Sequence, residues 1–223
     1  MNEEIEKLFA EKGADIVRFV DISDLPENQT QGFNKAIVFC KSLSKEFIIA
    51  KLNEEKTERD EFVDKERETD VLADELADYI RRKGYKAFSQ SEENLIQSGN
   101  YDEESHTTAL PHKTIARLAG IGFMGKNDLL ITEEFGCAFS MCTVLTDAPL
   151  ATDSYPIISS DCGDCDICKE VCAKNAILGN EWSEAAGREG VVDVYKCYCA
   201  LKCVVHCPHT LKYAIGSRQK MDY

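Results

Sequence analysis

The chain has 223 residues, which is enough for one ordinary domain and a smaller second module but not for three domains. Hydrophobic residues make up 43% and charged residues 30%, as in soluble globular proteins. The formal net charge of −14 argues against an extended nucleic-acid surface, because phosphate contacts need a positive footprint. No apolar run approaches the roughly 20 residues of a membrane span. The N-terminus lacks the features of an export signal, so we expect a cytoplasmic protein.

The chain before residue 120 predicts alternating helices and strands. Apolar residues recur at helical spacing in three segments, and branched or aromatic residues concentrate in three others. The predicted helices cover residues 2–12, 54–82 and 108–119. The predicted strands cover residues 14–20, 35–43 and 85–89.

The next segment predicts a glycine turn followed by two strands, over residues 128–132 and 137–146, that pair with each other. Their parity places Cys137 and Cys142 on opposite strand faces, so we interpret them as separate buried thiols. This mixture of elements predicts an α+β fold. The predicted domains are residues 1–154, an α/β cofactor and substrate domain, and residues 155–223, a cysteine-rich module.

Eight of the eleven cysteines lie in that module, in two runs. In a chain without an export signal, such a density indicates metal ligands rather than disulfides. The first run has the C-x2-C-x2-C-x3-C spacing of bacterial ferredoxins and consists of Cys162, Cys165, Cys168 and Cys172. The second run consists of Cys197, Cys199, Cys203 and Cys207.

Two [4Fe-4S] clusters are predicted, because in two-cluster ferredoxins the fourth cysteine of a run ligates the other cluster. The first predicted ligand set is Cys162, Cys165, Cys168 and Cys207. The second is Cys172, Cys197, Cys199 and Cys203. The module departs from the regular motif, since Ala173 replaces the usual proline and the second run has irregular spacing. Two structural zinc sites are the alternative, although zinc sites normally use separated C-x2-C pairs.

The segment GIGFMG from Gly120 to Gly125 matches the G-x-G-x-x-G pattern and nearly matches a Walker A loop. A dinucleotide fingerprint follows a strand and opens a helix, whereas here a predicted helix precedes the glycines and a strand follows. Asn127 also replaces the hydroxyl residue that binds magnesium. We therefore interpret the segment as a helix end followed by a tight turn.

The stretch LPHKTIARLAGIGFMGKNDLLIT from Leu110 to Thr132, together with the double cysteine run, resembles the epoxyqueuosine reductase family over residues 107–212. That family is related to reductive dehalogenases. It joins a nitroreductase-like α/β domain that binds a corrinoid to a two-cluster ferredoxin-like module. The resemblance therefore implies two [4Fe-4S] clusters and cobalamin, or alternatively FMN, as cofactors.

The resemblance also implies a loop that lines the cofactor pocket, formed by Gly122, Gly125, Lys126 and Asn127. Lys126 is either a cation at the edge of a phosphate-rich or amide-rich cofactor or a solvated turn lysine. The catalytic carboxylate of the family aligns with His106, which becomes the candidate proton donor. An ordinary histidine at a helix entry is the other interpretation. A shifted loop would give the role of proton donor to Tyr101, Asp102 or Glu103.

Three functions follow from these features. The first is a reductase in which the clusters deliver electrons to a corrinoid or flavin that reduces a small organic substrate. The second is an electron carrier whose acidic surface docks a basic partner protein. The third is reduction of epoxyqueuosine in tRNA. We do not expect tRNA binding, because the sequence lacks the family's C-terminal helical-repeat domain, is acidic and has no Asp at position 106.

Overall fold

The computed structural model describes residues 1–216, which form two compact units. The first unit comprises residues 1–42, 62–119 and 139–156. The second comprises, among the described residues, 43–61, 120–138 and 157–216. The sequence predicts one domain boundary, between residues 154 and 155. It lies close to the last point at which the chain passes from the first unit to the second, after residue 156. The structure differs because two earlier segments also belong to the second unit, where the helix in the first of them packs against helices of the cysteine module.

Within residues 1–216 the chain alternates helices with strands. The helices are α1 Asn2–Glu11, α2 Glu27–Thr30, α3 Lys45–Leu52, α4 Glu61–Arg82, α5 Glu92–Gln97, α6 His112–Leu118, α7 Ile167–Glu170, α8 Lys202–Val205 and α9 Pro208–Ile215. The strands are β1 Ile16–Asp21, β2 Lys35–Ser42, β3 Ala87–Ser89, β4 Tyr101–Asp102, β5 Thr107–Thr108, β6 Phe123–Met124, β7 Leu130–Ile131 and β8 Phe139–Thr146. No helix in this part of the chain has both the length and the apolar composition needed to cross a membrane.

The first unit is organised around a four-stranded sheet in the order β1-β2-β8-β3, with every neighbouring pair antiparallel. Strand β2 is central, and its Phe39 pairs with Val17 on one side and Cys142 on the other. Helices α1 and α4 contribute to one hydrophobic core with this sheet, because their apolar residues recur at helical spacing. Leu72, Leu76 and Ile80 of α4 are spaced by about one helical turn and are all buried in that core. The predicted mixed α and β architecture is confirmed.

The predicted pairing of residues 128–132 with residues 137–146 is wrong. Strand β7 pairs with β6 in a small hairpin, whereas β8 pairs with β2 and β3. An isolated bridge joins Thr132 to Gly136, which lies in the turn between the two predicted strands. Nearly every residue of β8 is buried, and the strand lies inside the sheet with β2 on one edge and β3 on the other.

The second unit combines the β6–β7 hairpin with helices α3, α7, α8 and α9. Helix α3 begins at a well-formed cap, in which Ser44 Oγ accepts from the N–H of Phe47 at 3.1 Å. The Glu61 carboxylate in turn accepts from the N–H and hydroxyl of Ser44 at 2.6 and 2.5 Å. Helix α3 packs against α8, which contains Cys203, and against α9, whose N-cap is Cys207. This helix was not predicted.

Candidate functional site

The second unit contains a cavity of about 280 Å³ whose wall carries four thiols. The cysteines in the wall are Cys162, Cys165, Cys168 and Cys207. The other lining residues are Lys126, Asn127, Ile131, Asp161, Pro208 and His209. The structure therefore brings together the four cysteines of the first predicted ligand set, including the one that comes from the second run.

Local structure explains how these thiols reach the cavity. A turn closes from Cys162 to Cys165, with the N–H of Cys165 donating to the Cys162 carbonyl at 2.9 Å, and α7 then carries Cys168. Cys207 is the N-cap of α9, and Pro208 occupies the first helical position, where a missing N–H costs nothing. The thiol of Cys207 consequently sits at the positive end of a helix.

Burial and neighbouring thiols shift the pKa values of two cysteines in the cavity wall, Cys162 and Cys168. Burial, followed by the charges of Cys162 and Cys203, raises the pKa of Cys168 to about 12. Burial also raises the pKa of Cys162, although the backbone N–H of Lys126 donates to its sulfur. Burial thus favours the protonated forms of Cys162 and Cys168, and a metal that binds these two thiols must displace their protons.

The second predicted ligand set is more exposed. Burial and the charges of Cys197 and Cys172 raise the pKa of Cys203 to about 12, so these three cysteines interact. Cys172 Sγ accepts from the N–H of Ala176 at 3.3 Å. Cys199 is exposed and adopts a left-handed backbone conformation, with φ +52°. In the described residues no three His, Cys, Asp or Glu side chains form a site for a single metal ion.

Lys126 is a buried lysine, so its interpretation as a solvated turn lysine is wrong. Its side chain is 8% exposed, and Nζ lies 3.0 Å from Asp166 Oδ1. Burial lowers the pKa of Lys126, but the hydrogen bond and charge of Asp166 outweigh that effect and the net shift is upward. Asp166 was missed by the sequence reasoning, although its position between two motif cysteines was a usable signal.

The hairpin β6–β7 accounts for the glycines of the loop. A Cβ on Gly122 would lie 2.2 Å from the carbonyl oxygen of Ile131, and one on Gly125 would lie 2.5 Å from Ile131 Cδ1. Gly120 follows the end of α6 with φ +60°, as expected for a helix C-terminus. Gly122 therefore needs glycine to pack against the backbone of β7, whereas a Cβ at Gly125 would meet only side-chain atoms of Ile131 and Asn127.

His106 lies in the first unit, on the exposed turn that connects β4 to β5, rather than at the entry to α6. Its φ is +53°, and its Nδ1 lies 2.9 Å from the hydroxyl of Tyr101. The alternative proton donors Asp102 and Glu103 belong to the same exposed hairpin. The structure thus places His106 beside Tyr101, which is one of the alternative proton donors.

Cys137 and Cys142 are both buried, in agreement with their interpretation as separate buried thiols. Cys142 lies in β8 of the first unit, with its sulfur 3.6 Å from Asp70 Oδ1. Cys137 precedes that strand and belongs to the second unit, where its sulfur lies 3.5 Å from Thr210 Oγ1. No sequence signal indicated this second contact.

Comparisons with known proteins support the resemblance found in the sequence. No protein-family model matches the chain. Epoxyqueuosine reductase from Lactococcus garvieae is 29% identical over 102 residues, which make up 46% of this chain and 28% of that enzyme. The chain therefore spans less than a third of this curated relative.

Solved structures show the same relationship at the level of the fold. The structure of epoxyqueuosine reductase from Streptococcus thermophilus has a TM-score of 0.55 and 16% identity, covering 90% of this chain and 57% of that one. A reductive dehalogenase whose structure suggests a mechanism for B12-dependent dehalogenation has a TM-score of 0.63 and 20% identity, covering 87% and 28%. The chain is thus similar in sequence to epoxyqueuosine reductases and shares its fold with them and with reductive dehalogenases.

Proposed function

We propose that this protein is an iron–sulfur oxidoreductase in which two [4Fe-4S] clusters pass single electrons to a corrinoid, or to FMN, that reduces a small organic substrate. The observation that carries the proposal is the cavity lined by four thiols, since these thiols come from two distant runs and match the ligand set of a ferredoxin-type cluster. The similarity to epoxyqueuosine reductases is independent support.

The proposed ligands follow the crossing rule. The first cluster takes Cys162, Cys165, Cys168 and Cys207. The second takes Cys172, Cys197, Cys199 and Cys203. When bound, each cluster supplies one-electron transfer. The protein's own groups supply the thiolates, N–H donors to the sulfurs at Cys162, Cys172 and Cys207, and partial exclusion of water.

The loop of Gly122, Gly125, Lys126 and Asn127 is proposed to line a cofactor, as the resemblance implies. Lys126 and Asn127 border the cysteine cavity, so the cofactor that we propose for them is the first cluster. The positive charge of Lys126, held against Asp166, offsets part of the negative charge that four thiolates bring. The corrinoid is proposed from fold similarity to a B12-dependent dehalogenase.

A nitroreductase-like first unit and a ferredoxin-like second unit are the proposed architecture, and the cytoplasm is the proposed location. His106 is the proposed proton donor, because an imidazole can act as a general acid and the Tyr101 hydroxyl lies 2.9 Å from its Nδ1. Replacement His106→Gln should slow substrate reduction while leaving the iron and sulfide content unchanged. An unchanged rate would remove His106 from the mechanism.

Reduction of epoxyqueuosine in tRNA is the second candidate, and it is favoured by the names of the similar enzymes. The net charge of −14 opposes it, because long-range repulsion weakens phosphate contacts. A third candidate is an electron carrier that donates to a partner protein and binds no corrinoid.

Cofactor titration separates the three candidates. Cobalamin and FMN are added in turn to the anaerobic cluster-loaded protein, and the corrin or flavin spectrum is recorded. A saturable spectral change supports the first proposal, whereas no change with either cofactor favours the electron carrier. Gel-shift binding of the cognate tRNA at low salt, together with turnover of epoxyqueuosine, would instead establish the tRNA enzyme.

A further inference from the structure

Lys126 places a positive charge in the wall of the cavity that contains the first proposed ligand set. The residue lies in the turn of the β6–β7 hairpin, where the N–H of Gly125 donates to the Leu129 carbonyl at 2.9 Å. Its side chain is 8% exposed and borders the same cavity as the four cysteines of that set. Because a lysine side chain is cationic at neutral pH, the cavity wall carries a permanent positive charge.

Asp166 holds this ammonium from within the first cysteine run. Its Oδ1 lies 3.0 Å from Lys126 Nζ, and the residue stands between Cys165 and Cys168 in the sequence. Asp166 is also the N-cap residue of α7, where an aspartate side chain normally accepts from a backbone N–H. Here the side chain makes no capping hydrogen bond. The carboxylate therefore serves the lysine rather than the helix end.

The two charges of this pair do not cancel at the cavity. Of the two partners only Lys126 lines the cavity, within the part of the chain that the structure describes. The Asp166 side chain is 43% exposed, so water screens its charge more than that of the ammonium. Asp161 also lines the cavity, but its side chain is 62% exposed and is screened in the same way. The lysine therefore has the larger electrostatic effect on a group that binds in the cavity.

We propose that the Lys126–Asp166 pair sets the reduction potential of the first cluster, which the ammonium raises and the carboxylate lowers. The inference rests on the proposed function and extends it to two residues that ligate no metal. One-electron reduction adds one negative charge to a cluster and its thiolates, and no bond forms or breaks. A nearby cation stabilises that added charge, whereas a nearby anion destabilises it. Both residues thus act on the cluster through their charges.

The test is an anaerobic redox titration, followed by EPR, of the cluster-loaded wild type and its variants. Lys126→Met should lower the midpoint potential of one cluster by about 59 mV, which is a tenfold change in the oxidised-to-reduced ratio of a one-electron couple. Asp166→Asn should raise the same potential. The double variant should lie between the two single variants. The affected cluster should be the one that Cys207→Ser removes, and the other potential should stay unchanged.

Lys41→Met is the matched control, because it removes a comparable ion pair from the first unit. The Lys41 side chain is 12% exposed, and its Nζ lies 2.7 Å from Glu68 Oε2. This variant should change neither potential. Lys126→Arg keeps the positive charge and should leave both potentials near those of the wild type. If Lys126→Met does not assemble its cluster, Asp166→Asn still tests the sign of the effect.

Two results would overturn the inference. Unchanged potentials in the loaded Lys126→Met and Asp166→Asn proteins would show that the pair has no influence on the cluster. Shifts of the same sign in these two variants would point to altered packing, since opposite charges must act in opposite directions. A wild-type protein without iron and sulfide refutes the proposed function itself, so the two failures are distinguishable.

Discussion

Lys126 Nζ lies 3.0 Å from Asp166 Oδ1, and this ion pair joins the glycine loop to the cysteine motif of the second unit. The two partners differ in exposure, since the lysine side chain is 8% exposed and the aspartate 43%. Water can hydrate the carboxylate when it is alone but reaches the ammonium poorly. The carboxylate of Asp166 therefore matters most as the counter-charge of a buried ammonium.

Removing the carboxylate should cost more stability than removing the amine. Asp166→Asn leaves a buried ammonium without its counter-charge and should lower the free energy of unfolding by about 2 kcal/mol. Lys126→Met keeps the side-chain volume and should cost about 1 kcal/mol or less. Urea unfolding at pH 7 measures both. A larger loss in Lys126→Met than in Asp166→Asn would show that the lysine has a different partner.

The ligand assignment predicts that the fourth cysteine of each run serves the other cluster. Cys172→Ser should damage the cluster of Cys197, Cys199 and Cys203 and spare the other, whereas Cys207→Ser should do the reverse. EPR of the reduced variants distinguishes the two signals. Loss of the same signal in both variants would mean that the ligand sets are wrong.

Part of this site could be predicted because its signal is local. The spacing of the first cysteine run is read directly from neighbouring residues, and the crossing rule extends it to Cys207. The ion pair of Lys126 with Asp166 and the contact of Cys137 with Thr210 depend on how distant segments pack. Sequence spacing places Asp166 among the motif cysteines, but it does not identify the partner of either residue.

The same distinction holds for the fold. Helix α4 repeats its apolar residues at helical spacing, so it was predicted, with its start placed too early. Helix α3 is short, and its residues Phe47, Ile48 and Leu52 are buried without a clean polar face, so it was missed. The pairing of β8 with β2 and β3 joins segments far apart in sequence, and local turn residues suggested the wrong neighbour.

The partly buried His112 should make stability depend on pH. Its Nδ1 lies 2.8 Å from Thr143 Oγ1, and burial lowers its pKa to about 4. Between pH 6.5 and pH 4 the unfolded chain binds the proton and the folded chain does not, so stability falls as the pH falls through this window. From pH 7.5 to pH 5.5 the loss should be about 1.4 kcal/mol.

His112→Asn removes the titrating group and keeps a polar side chain, so most of that pH dependence should disappear. His106→Asn changes an exposed turn histidine and should preserve it. Urea unfolding of the three proteins at pH 7.5 and pH 5.5 provides the comparison. Equal pH dependence in wild type and His112→Asn would contradict the assignment to His112.

Gly136→Ala should destabilise the second unit by about 3 kcal/mol, because the new Cβ meets backbone atoms that cannot rotate away and the residue must keep a positive φ. Gly13→Ala is the matched control, since Gly13 also has a positive φ, of +71°, but open space around it. That control should cost about 1 kcal/mol. Similar losses of thermal stability in both variants would mean that the loop moves freely away from α9.

Iron, acid-labile sulfide and zinc analysis of the anaerobically purified protein tests the central claim most directly. Two [4Fe-4S] clusters predict about eight iron and eight sulfide per chain, with a broad absorption that bleaches on reduction. Cys168→Ser should remove about half of the iron and sulfide, because it deletes a ligand of one cluster only. Stoichiometric zinc without sulfide in the wild-type protein would contradict the account.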